Sequence, residues 1–271
     1  MSSLEREDGK QIYYEDYGSG DSAVVLVHGW GASVRAWDYT LPALAAAGHR
    51  VVLLDHRGCG RSSKDFADMS IDAIAGDVVL LVEHLGLSKV VLNGWSLGGA
   101  VVVAAAACLG DRCSGVVLTC GATPCYLQKS DYPHGGTDDA LAGTLEAMAA
   151  DRVNFLAGLA GGVCASDVSP EVVSWMHRMF LESSPLAAAS LGDLGPLDQR
   201  DLLANLSAPI LSYVGANDAV VDPEVCRSVS EYAANVKTVE CRASGHAPFI
   251  EESELYHGEL LGFLATCLQG E

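Results

Sequence analysis

A chain of 271 residues with 49% hydrophobic composition can bury a large core as a single domain. Its 35 acids against 16 bases leave a formal charge of −19, which makes nucleic acid and anionic membrane surfaces poor partners. No stretch reaches the roughly 20 apolar residues of a membrane span, and the charged start Met1–Asp8 lacks the apolar core of a signal peptide. The nine cysteines, an odd number with no C-x-x-C pair, suit free buried thiols in a reducing cytosol, so a cytoplasmic location is expected. Cys120 and Cys125 have no accompanying histidine cluster, and no metal site is expected there.

Short apolar runs alternate with longer amphipathic or Ala-rich segments along the chain. Strands are predicted over Ile12–Tyr17 and Ala23–Val27, then a helix over Trp37–Ala47 and a strand over Val51–Leu54. The following stretch, Asp55-His56-Arg57-Gly58-Cys59-Gly60-Arg61-Ser62, reads as a loop in which Asp55 and Arg57 pair to brace the region beneath a site. A helix over Ile71–Leu85, a strand over Val90–Leu92, a helix over Leu97–Leu109 and a strand over Val116–Thr119 follow. The alternation then breaks from residue 121 to residue 208, where helical patches cover Asp138–Ala150, Arg152–Ala160 and Glu171–Ser183. So long a segment inside one domain must form structure of its own. It is expected to be a helical cap, residues 122–205, inserted into a core made of residues 1–121 and 206–271. Alternation resumes with strand Ile210–Val214, helix Pro223–Ala234, strand Val236–Cys241 and helix Glu254–Leu268. This order predicts an α/β fold with a mostly parallel central sheet covered by helices on both faces.

The densest chemical signal is Gly94-Trp95-Ser96-Leu97-Gly98, between a predicted strand and a predicted helix. Strand, G-x-S-x-G and helix in that order form the nucleophile elbow of α/β-hydrolases, a turn that lifts the serine out of the sheet. Side chains two residues either side of such a serine would collide with neighbouring backbone, and Gly94 and Gly98 remove them. Three further features follow strand ends. His28-Gly29-Trp30-Gly31 is placed to offer a backbone oxyanion donor at Trp30, beside the N–H of Leu97, with His28 bonding structurally beneath the loop. Gly215-Ala216-Asn217-Asp218 offers an acid, and Ser244-Gly245-His246 a base. Asp222, four residues beyond Asp218, precedes Pro223 and reads instead as a helix N-cap. The order Ser96, Asp218, His246 is that of the α/β-hydrolase fold and of neither other common serine-hydrolase arrangement. Trp30, Trp95, Tyr126, Trp175 and Phe249 are candidates for the substrate pocket.

The chain resembles the α/β-hydrolase superfamily throughout, and in detail the pimeloyl-acyl-carrier-protein methyl ester carboxylesterases of biotin synthesis. The resemblance rests on His28-Gly29-Trp30-Gly31 with Trp37, Gly94-Trp95-Ser96-Leu97-Gly98-Gly99, Ala122-Thr123-Pro124-Cys125-Tyr126, Asp198-Gln199-Arg200-Asp201-Leu202 and Gly245-His246-Ala247-Pro248-Phe249-Ile250. It implies a Ser96–His246–Asp218 triad, oxyanion donors at Trp30 and Leu97, and no cofactor or metal. Some acyl-homoserine lactonases share a similar elbow and Gly-His-Ala-Pro-Phe segment. One departure stands out. The carrier-dependent family docks an acidic protein through cap arginines, whereas residues 129–205 here hold Lys129, Arg152, Arg178 and Arg200 against eleven acids. An acyl carrier protein is therefore not expected as a partner. The expected function is a serine carboxylesterase for small or medium acyl esters. A lactonase, the biotin-pathway esterase and, more distantly, C–C hydrolysis or perhydrolysis on the same triad, or a ligand receptor with a residual triad, are the alternatives. Dehalogenase and epoxide hydrolase chemistry is disfavoured, because Ser96 stands where those reactions need an aspartate.

Overall fold

Runs of Val, Leu and Ile with no polar face, such as Val24–Val27 and Val51–Leu54, fit only strands covered on both sides, and all eight of these side chains are buried. In the computed structural model, which describes residues 2–268, they lie in one eight-stranded sheet. The strands are β1 (Ser2–Glu5), β2 (Gln11–Tyr17), β3 (Ser22–Val27), β4 (Val51–Leu54), β5 (Lys89–Trp95), β6 (Cys113–Thr119), β7 (Ile210–Gly215) and β8 (Val236–Cys241). Their order is β1-β2-β4-β3-β5-β6-β7-β8, with β2 antiparallel to both its neighbours, β1 and β4, and every other pair parallel. The chain leaves β3 for β4 on one side and returns to β5 on the other. That reversal opens a crevice at the carboxyl ends of β3 and β5, the place where open α/β sheets bind ligands.

Helices α1 (Leu41–Ala46), α2 (Ile71–His84) and α3 (Leu97–Leu109) connect the first half of the sheet. Eleven of the thirteen α3 residues are buried, and its alanines, valines and glycines let it press on the sheet with α2 against it. Between β6 and β7 lie α4 (Asp138–Ala150), α5 (Arg152–Gly162), α6 (Pro170–Leu181), α7 (Ala188–Gly192) and α8 (Arg200–Asn205). The last three are α9 (Pro223–Tyr232), α10 (Pro248–Glu251) and α11 (Ser253–Leu268).

Local chemistry corrects several expected boundaries. The single helix expected over Trp37–Ala47 is a 3-10 turn, Val34–Trp37, followed by the separate α1. Pro42 has no N–H to donate and takes the second position of a new helix rather than the interior of a long one. Strand β1 falls in a charged segment without apolar alternation, and it is held by pairing with β2. Asp55 and Arg57 do not pair with each other. Asp55 accepts the backbone N–H groups of Val34 and Arg61, each at 2.7 Å. The Arg57 guanidinium forks onto Asp77 at 2.6 and 2.8 Å and reaches Glu7 at 2.6 Å. Both residues do brace loops, but each with its own partners.

Candidate active site

Ser96 stands between β5 and α3 with φ 59° and ψ −124°, a left-handed conformation that a serine adopts only under constraint. The surroundings impose it. A Cβ on Gly94 would lie 2.1 Å from the Gly98 carbonyl oxygen, and one on Gly98 would lie 2.4 Å from that of Val27. The Ser96 N–H donates to Thr119 at 3.0 Å, and its carbonyl accepts from Ala122 at 2.9 Å, so strand ends on either side clamp the turn. The N–H of Leu97 opens α3. Neither it nor the N–H of Trp30 meets an acceptor among the described residues.

The Trp30 N–H is oriented from beneath. His28 is fully buried, with Nδ1 2.7 Å from the Gly29 carbonyl and Nε2 2.9 Å from the His56 N–H. A carbonyl only accepts, so Nδ1 carries the proton and Nε2 is the acceptor. Pinning the Gly29 carbonyl turns the other end of that trans peptide, the Trp30 N–H, away from the imidazole. Burial pushes His28 down to about 4, and the ring stays neutral. His56 stacks on it with ring centroids 3.8 Å apart and is likewise held well below its ordinary range by burial.

Asp218 and His246, 28 residues apart in sequence, meet with Nδ1 2.7 Å from Oδ2. Oδ1 of the same carboxylate accepts the Val220 and Val221 N–H groups at 2.8 and 3.0 Å. The His246 backbone is fixed as well, its N–H donating to Val163 and its carbonyl accepting the Trp95 indole N–H, both at 2.7 Å. A carboxylate on Nδ1 leaves Nε2 for the cavity, which His246 shares with Ser96. The Ser96 hydroxyl itself makes no hydrogen bond among the described residues. Asp222 caps α9 through the Glu224 N–H and holds the Gly135 N–H, each at 3.0 Å, and takes no part in the pair.

Trp30, Trp95, Leu97 and Tyr126 line this cavity with Ser96 and His246. Its far walls come from the segment between β6 and β7, notably Phe155, Leu159, Phe180 and Leu194, positions that sequence reasoning did not single out. The apolar character of those helices was legible, but not which residues of each face inward. Two of the expected pocket residues are elsewhere. Phe249 is buried in the core between Trp37 and Trp95, at centroid distances of 5.4 and 5.3 Å. Trp175 packs on Tyr39 at 5.8 Å. It lies five residues before Phe180 on α6, and five helical steps of about 100° place the two on different faces. Cys120, at φ 46° just after β6, brings its thiol within 4.8 Å of the Asp218 and His246 pair. Burial and the charge of Asp218 push that thiol far up, so it sits there as a neutral, inert group.

A family profile described as alpha/beta hydrolase fold matches residues 22–253. The chain belongs to the α/β-hydrolase family. An esterase from Exiguobacterium antarcticum superposes on this α/β-hydrolase with a TM-score of 0.93 at 28% identity, covering 97% of this chain and 98% of that one. A bromoperoxidase from Bacillus anthracis gives 0.91 at 29%, covering 97% and 99%. Among sequence relatives, a pimeloyl-[acyl-carrier protein] methyl ester esterase of Nitrosomonas europaea is 28% identical over 90% of this chain and 96% of its own length. No helix among the described residues is long and apolar enough to cross a membrane.

Proposed function

We propose that this α/β-hydrolase is a serine carboxylesterase acting on neutral esters with a small or medium apolar chain. The observation that carries the reading is the 2.7 Å bond from His246 to Asp218 beside a strained serine and two unengaged backbone N–H groups. Ser96 attacks the acyl carbon while His246 Nε2 takes its proton, and the same proton goes to the departing alkoxide. The N–H groups of Trp30 and Leu97 receive the oxyanion, each lowering the barrier by about 3 kcal/mol. Water then attacks the acyl-enzyme with His246 as base, which releases the acid and restores Ser96. Asp218 keeps the proton on Nδ1 and stabilises the imidazolium. The helices of residues 122–205 act as the cap that walls the substrate. That wall supports neutral substrates, because among the described residues no carboxylate, lysine or arginine side chain lines the cavity.

The test is a panel of p-nitrophenyl esters of increasing length beside simple lactones and acyl-homoserine lactones. Ser96→Ala and His246→Ala should each lower kcat on the order of 10⁴-fold or more. Asp218→Asn should cost at least about a hundredfold through the wrong imidazole tautomer. Asp222→Asn should leave kcat within a few-fold, and activity surviving in Ser96→Ala would overturn the mechanism.

A further inference from the structure

Beside the catalytic cavity lies a second, more polar cleft, open to solvent and bordered by Gly135, Gly136, Asp218, Ala219 and Asp222. Among the described residues only Tyr126 and Val220 line both spaces, so these two residues are the wall between them. The wall is built, not incidental. The Tyr126 hydroxyl donates to the Val220 carbonyl at 3.2 Å, while the Val220 N–H donates to Asp218 at 2.8 Å. Its backbone is tied too, the Tyr126 carbonyl accepting the Gly136 N–H at 3.2 Å. The Gly135 turn beside it admits no side chain, since a Cβ there would lie 2.3 Å from the Tyr126 carbonyl oxygen, and its N–H is held by Asp222. Burial and then the charge of Asp218 push the hydroxyl above its ordinary range, so it remains a neutral donor.

We propose that the Tyr126 ring is the partition that sets the length limit of the apolar chain bound in the catalytic cavity. With the ring in place the chain ends against it. With the ring removed the two spaces join, and a longer chain passes over Val220 into the polar cleft, its end meeting solvent beside Asp222. The hydroxyl holds the ring against Val220, but the barrier is the ring. Tyr126 is therefore a specificity-determining residue, and its role in turnover rests on the esterase reading above.

The experiment compares the wild type with Tyr126→Ala, Tyr126→Leu, Tyr126→Phe and Val220→Ala on p-nitrophenyl butanoate to decanoate. Each buried methylene newly accommodated adds about fourfold in affinity or kcat/KM. The decanoate-to-butanoate ratio should rise at least about tenfold in Tyr126→Ala, less in Tyr126→Leu and Val220→Ala, and stay within about twofold in Tyr126→Phe. Calorimetric Kd values for methyl butanoate to methyl decanoate, on a Ser96→Ala background with and without Tyr126→Ala, read the same wall without chemistry. A Kd ratio that moves with Tyr126 while no variant turns over esters would support the partition and sink the esterase reading. Ser96-dependent turnover with an unmoved ratio in folded Tyr126→Ala and Tyr126→Leu would overturn the partition. A Tyr126→Phe profile as relaxed as that of Tyr126→Ala would also overturn it, by placing the barrier in the hydroxyl.

Discussion

His28 shows how much one neutral side chain can organise. Its protonated Nδ1 pins the Gly29 carbonyl, and its Nε2 takes the His56 N–H, so a second proton would turn the acceptor into a donor facing a donor. Its titration point falls from an ordinary 6.5 to about 4 on folding. The sign follows from proton uptake. Between these values the unfolded chain binds a proton that the folded chain refuses, so stability is complete above about 6.5 and is lost as pH falls toward 4. The span corresponds to roughly 3 kcal/mol, with a further contribution in the same direction from the stacked His56. Urea midpoints should fall between pH 7 and pH 4.5, and His28→Asn should flatten that dependence by about one proton. An unchanged slope in the variant would show that other groups carry it. Histidine 28 was legible as a structural residue from its place before Gly29. That His56 would stack on it was not, because the two meet only when the ends of β3 and β4 come together.

Between elements, the most consequential polar contact lies behind the sheet. Tyr256 of α11 is fully buried, and its hydroxyl meets Asn93 of β5 at 2.9 Å and Thr119 of β6 at 3.0 Å. Thr119 in turn donates to Asn93 at 3.0 Å, closing a triangle beneath the elbow. Removing the Tyr256 hydroxyl leaves the buried Asn93 amide N–H without its acceptor, so Tyr256→Phe should cost about 1–3 kcal/mol. Thermal unfolding checks this, and a Tm within a degree of wild type would contradict it. Elements were most legible where one local rule dominated. Helix α3 has the predicted bounds because the Ser96 turn starts it and Gly110 ends it, and α4 because Thr137 caps its start. Helices α7 and α8 were missed because each is short, with a single buried side chain to signal it, Ser190 and Leu203.

At the scale of the whole molecule, charge is the controlling property. The few cations between β6 and β7 are also partly spent inside the fold. Arg200 lies against Asp131 and Asp198, and Arg152 reaches from the start of α5 to the Ser183 carbonyl at 2.6 Å, beyond the end of α6. We expect an acidic carrier protein approaching this face to be repelled, with salt relieving the repulsion over a Debye length of about 10 Å at 0.1 M. A carrier-bound methyl ester should therefore turn over poorly at low salt and better as salt rises, while free neutral esters should show little salt dependence. Measuring kcat/KM across an ionic-strength series decides it. Efficient carrier turnover that falls with added salt would instead reveal a basic docking patch.

The sequence by itself determined the class of fold, the parallel sheet, the place of Ser96 on a turn and the strand ends carrying Asp218 and His246. Each of these depends on a local rule, namely apolar runs of strand length, glycines where backbone must approach backbone, or a polar residue just past a strand. Tertiary structure alone decided which aromatic side chains face the cavity, which acid pairs with Arg57, and that Tyr126 and Val220 form a shared wall. These are contacts between segments tens to more than a hundred residues apart. Five helical steps of about 100° are enough to take a side chain from the cavity wall to a different face, as Phe180 and Trp175 on α6 show.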